Sequence, residues 1–200
     1  MIWRVLATNS VLKDQWISVR ADTCRRPDGS VVAPYYVIEG KDWCNVTAVT
    51  PSGCTILVRE YRHGFGRTLL GLPGGLIDPE DLSPERAAMR ELAEEVGVTK
   101  PICTSLLASM VANPSTHTNV GHSFLAIVHE DSAREARSTE PEIEVVIKPF
   151  TELLKEVIDG VSLFSGYDAA SILRAAFRLR GFDIPVSRDI REALGFHNDI

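Results

Sequence analysis

Two hundred residues make one generous domain, or one domain with an N-terminal extension. A hydrophobic fraction of 44% beside 24% charged residues is that of an ordinary globular chain, which excludes disorder and supplies a core. Lys+Arg 21 against Asp+Glu 27 leaves a net charge of −6. Such a chain is not built to hold a long nucleic acid by charge, and a phosphorylated substrate would need local neutralisation by a metal or a few arginines.

No apolar run approaches the roughly 18 residues of a membrane span. The opening Met-Ile-Trp-Arg-Val-Leu-Ala breaks at Thr8-Asn9-Ser10, too early for a signal peptide. A cytoplasmic protein with no membrane partner is the expectation. Cys24, Cys44, Cys54 and Cys103 lie far apart without a C-x-x-C pair, which reads as single buried thiols in a reducing compartment.

In chain order, Trp16 to Ala21 is a candidate strand, and Arg25-Arg26-Pro27-Asp28-Gly29-Ser30 marks a turn. Val31 to Ile38 is a second strand, with Pro34 pointing to an edge or bulge. Val46–Thr50 and Thr55–Tyr61 flank Pro51-Ser52-Gly53 as a hairpin. Leu69 to Leu72 runs into Pro73-Gly74-Gly75. Ser83 and Pro84 then read as N-cap and first turn of a helix that ends before Gly97. Met89, Leu92 and Val96 form its apolar face. Strands are expected near Ile102–Met110, His122–Val128 and Ile143–Ile147. Helices are expected at Thr151–Ile158, Asp168–Arg180 and Val186–Phe196. This order suggests an α+β or mixed-sheet sandwich rather than a regular βαβ repeat.

The chemistry lies in Gly74-Gly75-Leu76-Ile77-Asp78 and Arg90-Glu91-Leu92-Ala93-Glu94-Glu95-Val96-Gly97-Val98. On a helix, Glu91, Glu94 and Glu95 share a stripe about 100° wide. Three carboxylates so close repel one another, yet they form a set of hard oxygen ligands suited to Mg²⁺ or Mn²⁺ with phosphate oxygens. Arg90 is placed to pair with one carboxylate and fix its rotamer. A solvated acidic helix face is the plainer alternative for such a charge run.

This segment resembles the Nudix box, G-x5-E-x7-R-E-U-x-E-E-x-G-U with U apolar. Arg90, Glu91, Leu92, Glu94, Glu95, Gly97 and Val98 match its second half at every specified position. From Gly75 to Gly97 is 97 − 75 = 22 steps, one more than the box contains, so the loop before the helix carries an extra residue. The box's early Glu therefore falls on Asp81 counted from Gly75, or on Leu82 counted back from Arg90. Leu57–Gly64, Leu72–Asp78 and Pro114, sixteen residues past the box, resemble the ADP-ribose pyrophosphatase branch. Gly71 departs from that branch, which often carries an acidic residue there.

The resemblance implies a Nudix-type α/β/α sandwich with a mixed sheet over residues 43–200. It also implies an N-terminal antiparallel β subdomain over 1–42 that mediates a homodimer. Glu91 and Glu95 would hold Mg²⁺ (or Mn²⁺), with Glu94 a further ligand or water-holder and the Gly74 carbonyl contributing. Arg62 would contact phosphate or ribose of a nucleotide-sugar substrate. A catalytic base would come from Glu140, Glu142 or Glu144, with Glu142 favoured. The implied reaction is hydrolysis of a nucleoside diphosphate linked to another moiety, ADP-ribose to AMP and ribose 5-phosphate above all. Other nucleotide-sugars, a nucleoside triphosphate, or a nucleotide-sugar-binding regulatory module without turnover are the alternatives. His63, His117 and His122 read as structural histidines, and Trp3, Trp16 and Trp43 as packing residues with base stacking as the alternative.

Overall fold

The computed structural model describes residues 2–194, which form two compact units. One takes the chain up to Asp42 together with Met110–Gly121; the other takes Trp43–Ser109 and the chain from His122 onward.

The first unit is a three-stranded antiparallel sheet of β1 (Arg4–Lys13), β2 (Ser18–Arg25) and β3 (Val31–Glu39), with β2 in the middle. β2 starts later than Trp16 because Asp14 Oδ1 accepts from the N–H groups of Trp16 (2.7 Å) and Ile17 (2.9 Å), which makes that segment a turn. Pro34 sits on an edge strand, where the register against β2 shifts between Asp22 and Cys24. β1 is a strand without a sequence signal. All ten of its residues are exposed, so it carries no alternation of burial to read. In the same unit the Asn113 carbonyl accepts from the N–H groups of Thr116 (3.0 Å) and His117 (2.8 Å), which places His117 beside Ile38 in a bridge.

The second unit is built on a mixed sheet in the order β6-β5-β4-β8-β7, with β9 paired to β5. Its strands are β4 (Trp43–Val49), β5 (Cys54–Arg62), β6 (Arg67–Gly71), β7 (Cys103–Val111), β8 (Val120–Ile127) and β9 (Glu144–Pro149). The hairpin at Pro51-Ser52-Gly53 forms as expected, with Gly53 at φ +99° and its N–H bonded to the Thr50 carbonyl. Alternation along β5 and β8 then sorts side chains to two faces. Ile56, Val58, Phe124 and Ala126 pack with Ala88, Leu92 and Val96 of α1 (Pro84–Val96). Leu57, Leu125 and Ile127 pack on the other face. There they meet α3 (Phe150–Asp159), α4 (Gly166–Leu179) and α5 (Pro185–Ala193) through Phe150, Leu153, Ile172, Leu179 and Ile190. Each such buried Leu, Ile or Phe removes enough apolar surface from water to stabilise the fold by about 1.5–3 kcal/mol. The helix–sheet–helix sandwich follows from this sorting.

The short helix α2 (Glu130–Arg134) had no signal at its length. α4 begins at Gly166 rather than Asp168 because Ser165 Oγ caps it, accepting from the Asp168 N–H at 3.0 Å. α5 ends at Ala193, and the expected extension to Phe196 lies outside the described residues. Cys24 and Cys44 are buried, but Cys54 is half-buried and Cys103 exposed, so the expectation of buried thiols fails for those two. Among the described residues no helix is long and apolar enough to cross a membrane.

Candidate active site

The site begins where β4 parts from β5. The two strands pair through Ala48–Ile56 and Val49–Thr55. Upstream, β4 bonds instead to the segment after β6. The Val46 N–H donates to the Pro73 carbonyl and the Cys44 N–H to the Gly75 carbonyl, each at 2.9 Å. Two glycines allow this approach. A Cβ on Gly74, at φ +158°, would stand 2.2 Å from the Cys44 carbonyl oxygen. A Cβ on Gly75 would stand 2.5 Å from Glu91 Oε1. Strand backbone therefore closes on one side of this segment and the Glu91 carboxylate on the other.

The helix that supplies the carboxylates is fixed at both ends. Ser83 Oγ accepts from the Arg86 N–H at 3.2 Å, Pro84 opens the first turn, and Gly97 closes the last one at φ +77°. Its two buried acids face the glycine segment. Glu91 and Glu95 are only 9% and 6% exposed. Glu95 Oε2 accepts from the Gly74 N–H at 2.7 Å. Glu94 points to the exposed side.

Arg90 ties the cluster together. It donates to Glu91 Oε1 (2.7 Å), Glu94 Oε2 (3.0 Å), the Leu76 carbonyl (3.0 Å) and Asp81 Oδ2 (2.9 Å). Asp81 in turn accepts from the Asp78 N–H at 3.0 Å, which closes the loop on itself. The extra loop residue is thereby absorbed. Asp81 takes the supporting place, and Leu82, the other counting, stands 92% exposed.

Negative charge exceeds positive charge here. Burial pushes the Glu91 carboxyl above its ordinary range, against the opposing pull of Arg90. Burial pushes Glu95 up to about 7, and the charges of Glu91, Glu140 and Glu60 add to the shift. The Arg90 guanidinium is held firmly protonated, first by its bond to Asp81. The same bond holds the Asp81 carboxyl below its usual range. Buried carboxylates with too few partners fit a divalent cation that neutralises them. Among the described residues no group of three or more His, Cys, Asp or Glu side chains is placed to hold a metal ion.

Of the three loop acids, Glu140 stands nearest in effect. The loop is pinned to the last turn of α1: the Arg137 N–H donates to the Val96 carbonyl (3.3 Å) and Thr139 Oγ1 to the Glu94 carbonyl (3.0 Å). Glu140 follows this anchor, and its charge is felt at both Glu91 and Glu95. Glu142 is exposed, with no hydrogen bond or ion pair in the described structure. Glu144 is engaged by Arg59 at 2.7 Å.

A cavity of about 480 Å³ adjoins the glycine segment, lined among others by Trp43, Asn45, Arg62, Gly71, Tyr167 and Asp168. Arg62 is paired with Glu60 at 2.8 Å. Asp168 and Asn45 had no functional signal in the sequence, since α4 and β4 meet only through the fold, whereas Glu60 lies inside the Leu57–Gly64 segment that carries the resemblance. The histidines fall elsewhere: His122 Nδ1 bonds Ser109 Oγ and His117 Nδ1 bonds Thr116 Oγ1, each at 2.9 Å, and the His63 ring lies near Tyr61. Trp16 is 86% exposed and Trp3 packs edge-on against Tyr35, whereas Trp43 stands at the cavity.

With this geometry in place, the family model of the NUDIX domain matches residues 45–161, more than half of the chain. The chain belongs to the Nudix hydrolase family. The model of the nucleoside diphosphate sugar hydrolase N-terminal domain matches residues 3–38. A protein of Mycobacterium tuberculosis (strain ATCC 25618 / H37Rv) named ADP-ribose pyrophosphatase is 28% identical over 169 residues, 84% of this chain and 80% of that protein. One of the same name from Bacillus subtilis (strain 168) is 27% identical over 123 residues, 62% of this chain and 65% of that protein. A crystal structure of an ADP compounds hydrolase superposes with a TM-score of 0.73 over 90% of this chain and 96% of its own; at 21% identity it speaks for the fold.

Proposed function

We propose that this enzyme hydrolyses the pyrophosphate bond of a nucleoside diphosphate joined to another moiety, with ADP-ribose, cleaved to AMP and ribose 5-phosphate, as its preferred substrate. The observation that carries the reading is the pair of buried carboxylates, Glu91 and Glu95, held against Gly74 and Gly75 by Arg90 and the Gly74 N–H. The names of the relatives in M. tuberculosis and B. subtilis support the substrate.

In this reading Glu91 and Glu95 hold Mg²⁺, with Glu94 and the Gly74 carbonyl as further oxygens. When bound, the ion polarises the phosphate and lowers the pKa of a water. Arg90 holds Glu91 and Glu94 in place, and Asp81 holds Arg90. Arg62 meets phosphate or ribose. The water-holding acid is Glu140 rather than Glu142. What supports it is the anchoring of residues 137–139 on α1 and the coupling of its charge to Glu91 and Glu95.

Purified protein given ADP-ribose, GDP-mannose and a nucleoside triphosphate should release AMP fastest from ADP-ribose, and only with a divalent metal. Faster cleavage of the triphosphate would overturn the substrate, and no turnover of any of the three would favour a binding module. The protein also acts as a homodimer through its first unit in this reading. Val5, Leu6, Val11 and Leu12 of β1 expose 41–56% of their surface on an outer strand, which such an association would cover. Sedimentation at micromolar concentration should give two chains; one chain would remove the dimer.

A further inference from the structure

Asp168 lies in the first turn of α4, and the proposed reaction gives it no task. Its carboxylate accepts from Asn45 Nδ2 at 2.9 Å, from the Ser165 hydroxyl and from the Leu72 N–H. Those donors belong to β4, to the N-cap of α4 and to the chain two residues before Gly74. Three donors take up most of what a carboxylate can accept, so little is left for a ligand. Asp168 thus holds three parts of the protein to one another. Its main partner is itself oriented. Asn45 is 2% exposed, Ser171 Oγ donates to Asn45 Oδ1 at 3.2 Å, and Ser171 pairs with Ser123 of β8 at 2.6 Å. A polar network so fully tied holds one geometry.

What Asp168 grips is the glycine segment. Between β6 and α1 the chain alternates its backbone contacts, as an extended stretch does. The Pro73 and Gly75 carbonyls accept from the Val46 and Cys44 N–H groups of β4, each at 2.9 Å. The N–H groups of the residues between and before them go to carboxylates. Asp168 takes that of Leu72, and Glu95 takes that of Gly74 at 2.7 Å. The segment therefore has strand backbone on one side and two carboxylates on the other. Leu72 is 4% exposed, so water has little access to replace its bond, and an N–H left there without an acceptor is costly. Gly71 admits the carboxylate to this place, since a Cβ on it would stand 3.2 Å from Asp168 Oδ2. The two carboxylates differ in their duties. Glu95 has to serve the cation as well as the Gly74 N–H, whereas Asp168 only holds the chain.

We propose that Asp168 is a positioning residue of the hydrolytic site: it fixes the glycine segment through the Leu72 N–H, with Asn45 as its second hold, and so keeps Gly74 in register with Glu95, the two groups assigned to Mg²⁺. The inference rests on the metal-dependent reading above. It needs the hydrogen bonds of Asp168 and not its charge.

Titration calorimetry with Mg²⁺ on the wild type, Asp168→Ala and Asp168→Asn reads this positioning without turnover. Asp168→Ala leaves the Leu72 N–H without an acceptor and should weaken Mg²⁺ binding about three- to tenfold. Asp168→Asn keeps an amide oxygen for Leu72. Asn45 can turn its own amide to accept from the introduced NH₂ and donate to Ser171 Oγ. This variant should stay within about twofold of the wild type. A merely structural Asp168 would lower the melting temperature of Asp168→Ala and leave its Mg²⁺ affinity unchanged, and that result overturns the inference. So does a loss in Asp168→Asn as large as that in Asp168→Ala, because charge would then be what matters. Amide exchange on the wild type requires no variant to fold. Mg²⁺ should slow exchange at Leu72 and Gly74 together, and a response at Gly74 with none at Leu72 overturns the coupling. Absence of any Mg²⁺ binding removes the metal reading and this inference with it. The expected pattern in a chain that cleaves no ADP-ribose would sink the hydrolase reading and leave this one standing.

Discussion

Replacement of Glu95 by Gln is expected to lower metal-dependent hydrolysis of ADP-ribose by about 10²–10⁴-fold, the range for loss of a group that positions or activates the attacking water. The substitution is close to isosteric. The amide oxygen of the variant side chain still accepts the Gly74 N–H that Glu95 holds at 2.7 Å, so the helix and the glycine segment stay where they are. What is lost is one negative charge in a site where burial and three neighbouring acids already crowd the charged form. Asp81→Ala in parallel should cost about ten- to a hundredfold, as expected of a residue that acts through another by holding Arg90. Leu82→Ala, on the exposed neighbour, should cost nothing. Steady-state rates across a Mg²⁺ series read all three. Unchanged turnover in Glu95→Gln would remove Glu95 from the site. A loss in Leu82→Ala equal to that in Asp81→Ala would remove Asp81 from its supporting place.

The second large effect concerns stability without metal. Glu95 is raised to about 7 from the ordinary value of 4.5, which it regains on unfolding. Its folded form therefore favours the proton. That contribution is fully present below pH 4.5 and is lost as pH rises through about 7. A shift of this size corresponds to something on the order of 3 kcal/mol. For a chain of this length that is a fall in melting temperature of roughly 5–10 °C between pH 5 and pH 8. Glu91 and Asp168, also raised by burial, change in the same direction. Glu95→Gln should flatten most of the slope, because its amide does not titrate. Mg²⁺ should raise the melting temperature of the wild type most at pH 8, where the carboxylates are charged and a cation binds only the folded chain. Thermal melts at pH 5, 6.5 and 8, with EDTA or with Mg²⁺, give the result. A wild-type slope that Glu95→Gln leaves unchanged would contradict the placement of this charge.

How far the site could be read from the chain depended on the distance over which each part is specified. Ser83, Pro84 and Gly97 mark α1 through bonds made within one turn, so the helix ends where local rules put them. Arg90, Glu91, Glu94 and Glu95 share that helix, and their common face follows from its pitch. The two countings of the box loop could not be separated in the chain. Both Asp81 and Leu82 satisfy a spacing, and only the folded loop shows which side chain reaches Arg90. Among Glu140, Glu142 and Glu144, the sequence reading favoured Glu142. Alternation says nothing about a loop, and only the fold shows that residues 137 and 139 of this loop bond to the last turn of α1.

By itself, then, the sequence determined those elements whose signals are local. Turn residues, caps and the 3.6-residue period act within a few residues, and they specify the hairpin at Pro51-Ser52-Gly53, the carboxylate helix and the glycine pair before it. Tertiary structure alone decided what those elements face. β1 is fully exposed and carries no burial pattern, so only its pairing with β2 makes it a strand. Asn45 and Asp168 are separated by 123 positions and meet because β4 and α4 pack on one another. The cavity they share with Arg62 and Gly71 exists only once the sandwich is assembled. Local rules fix backbone conformation, whereas a site made of side chains from distant segments depends on burial and close packing, which no short stretch of chain encodes.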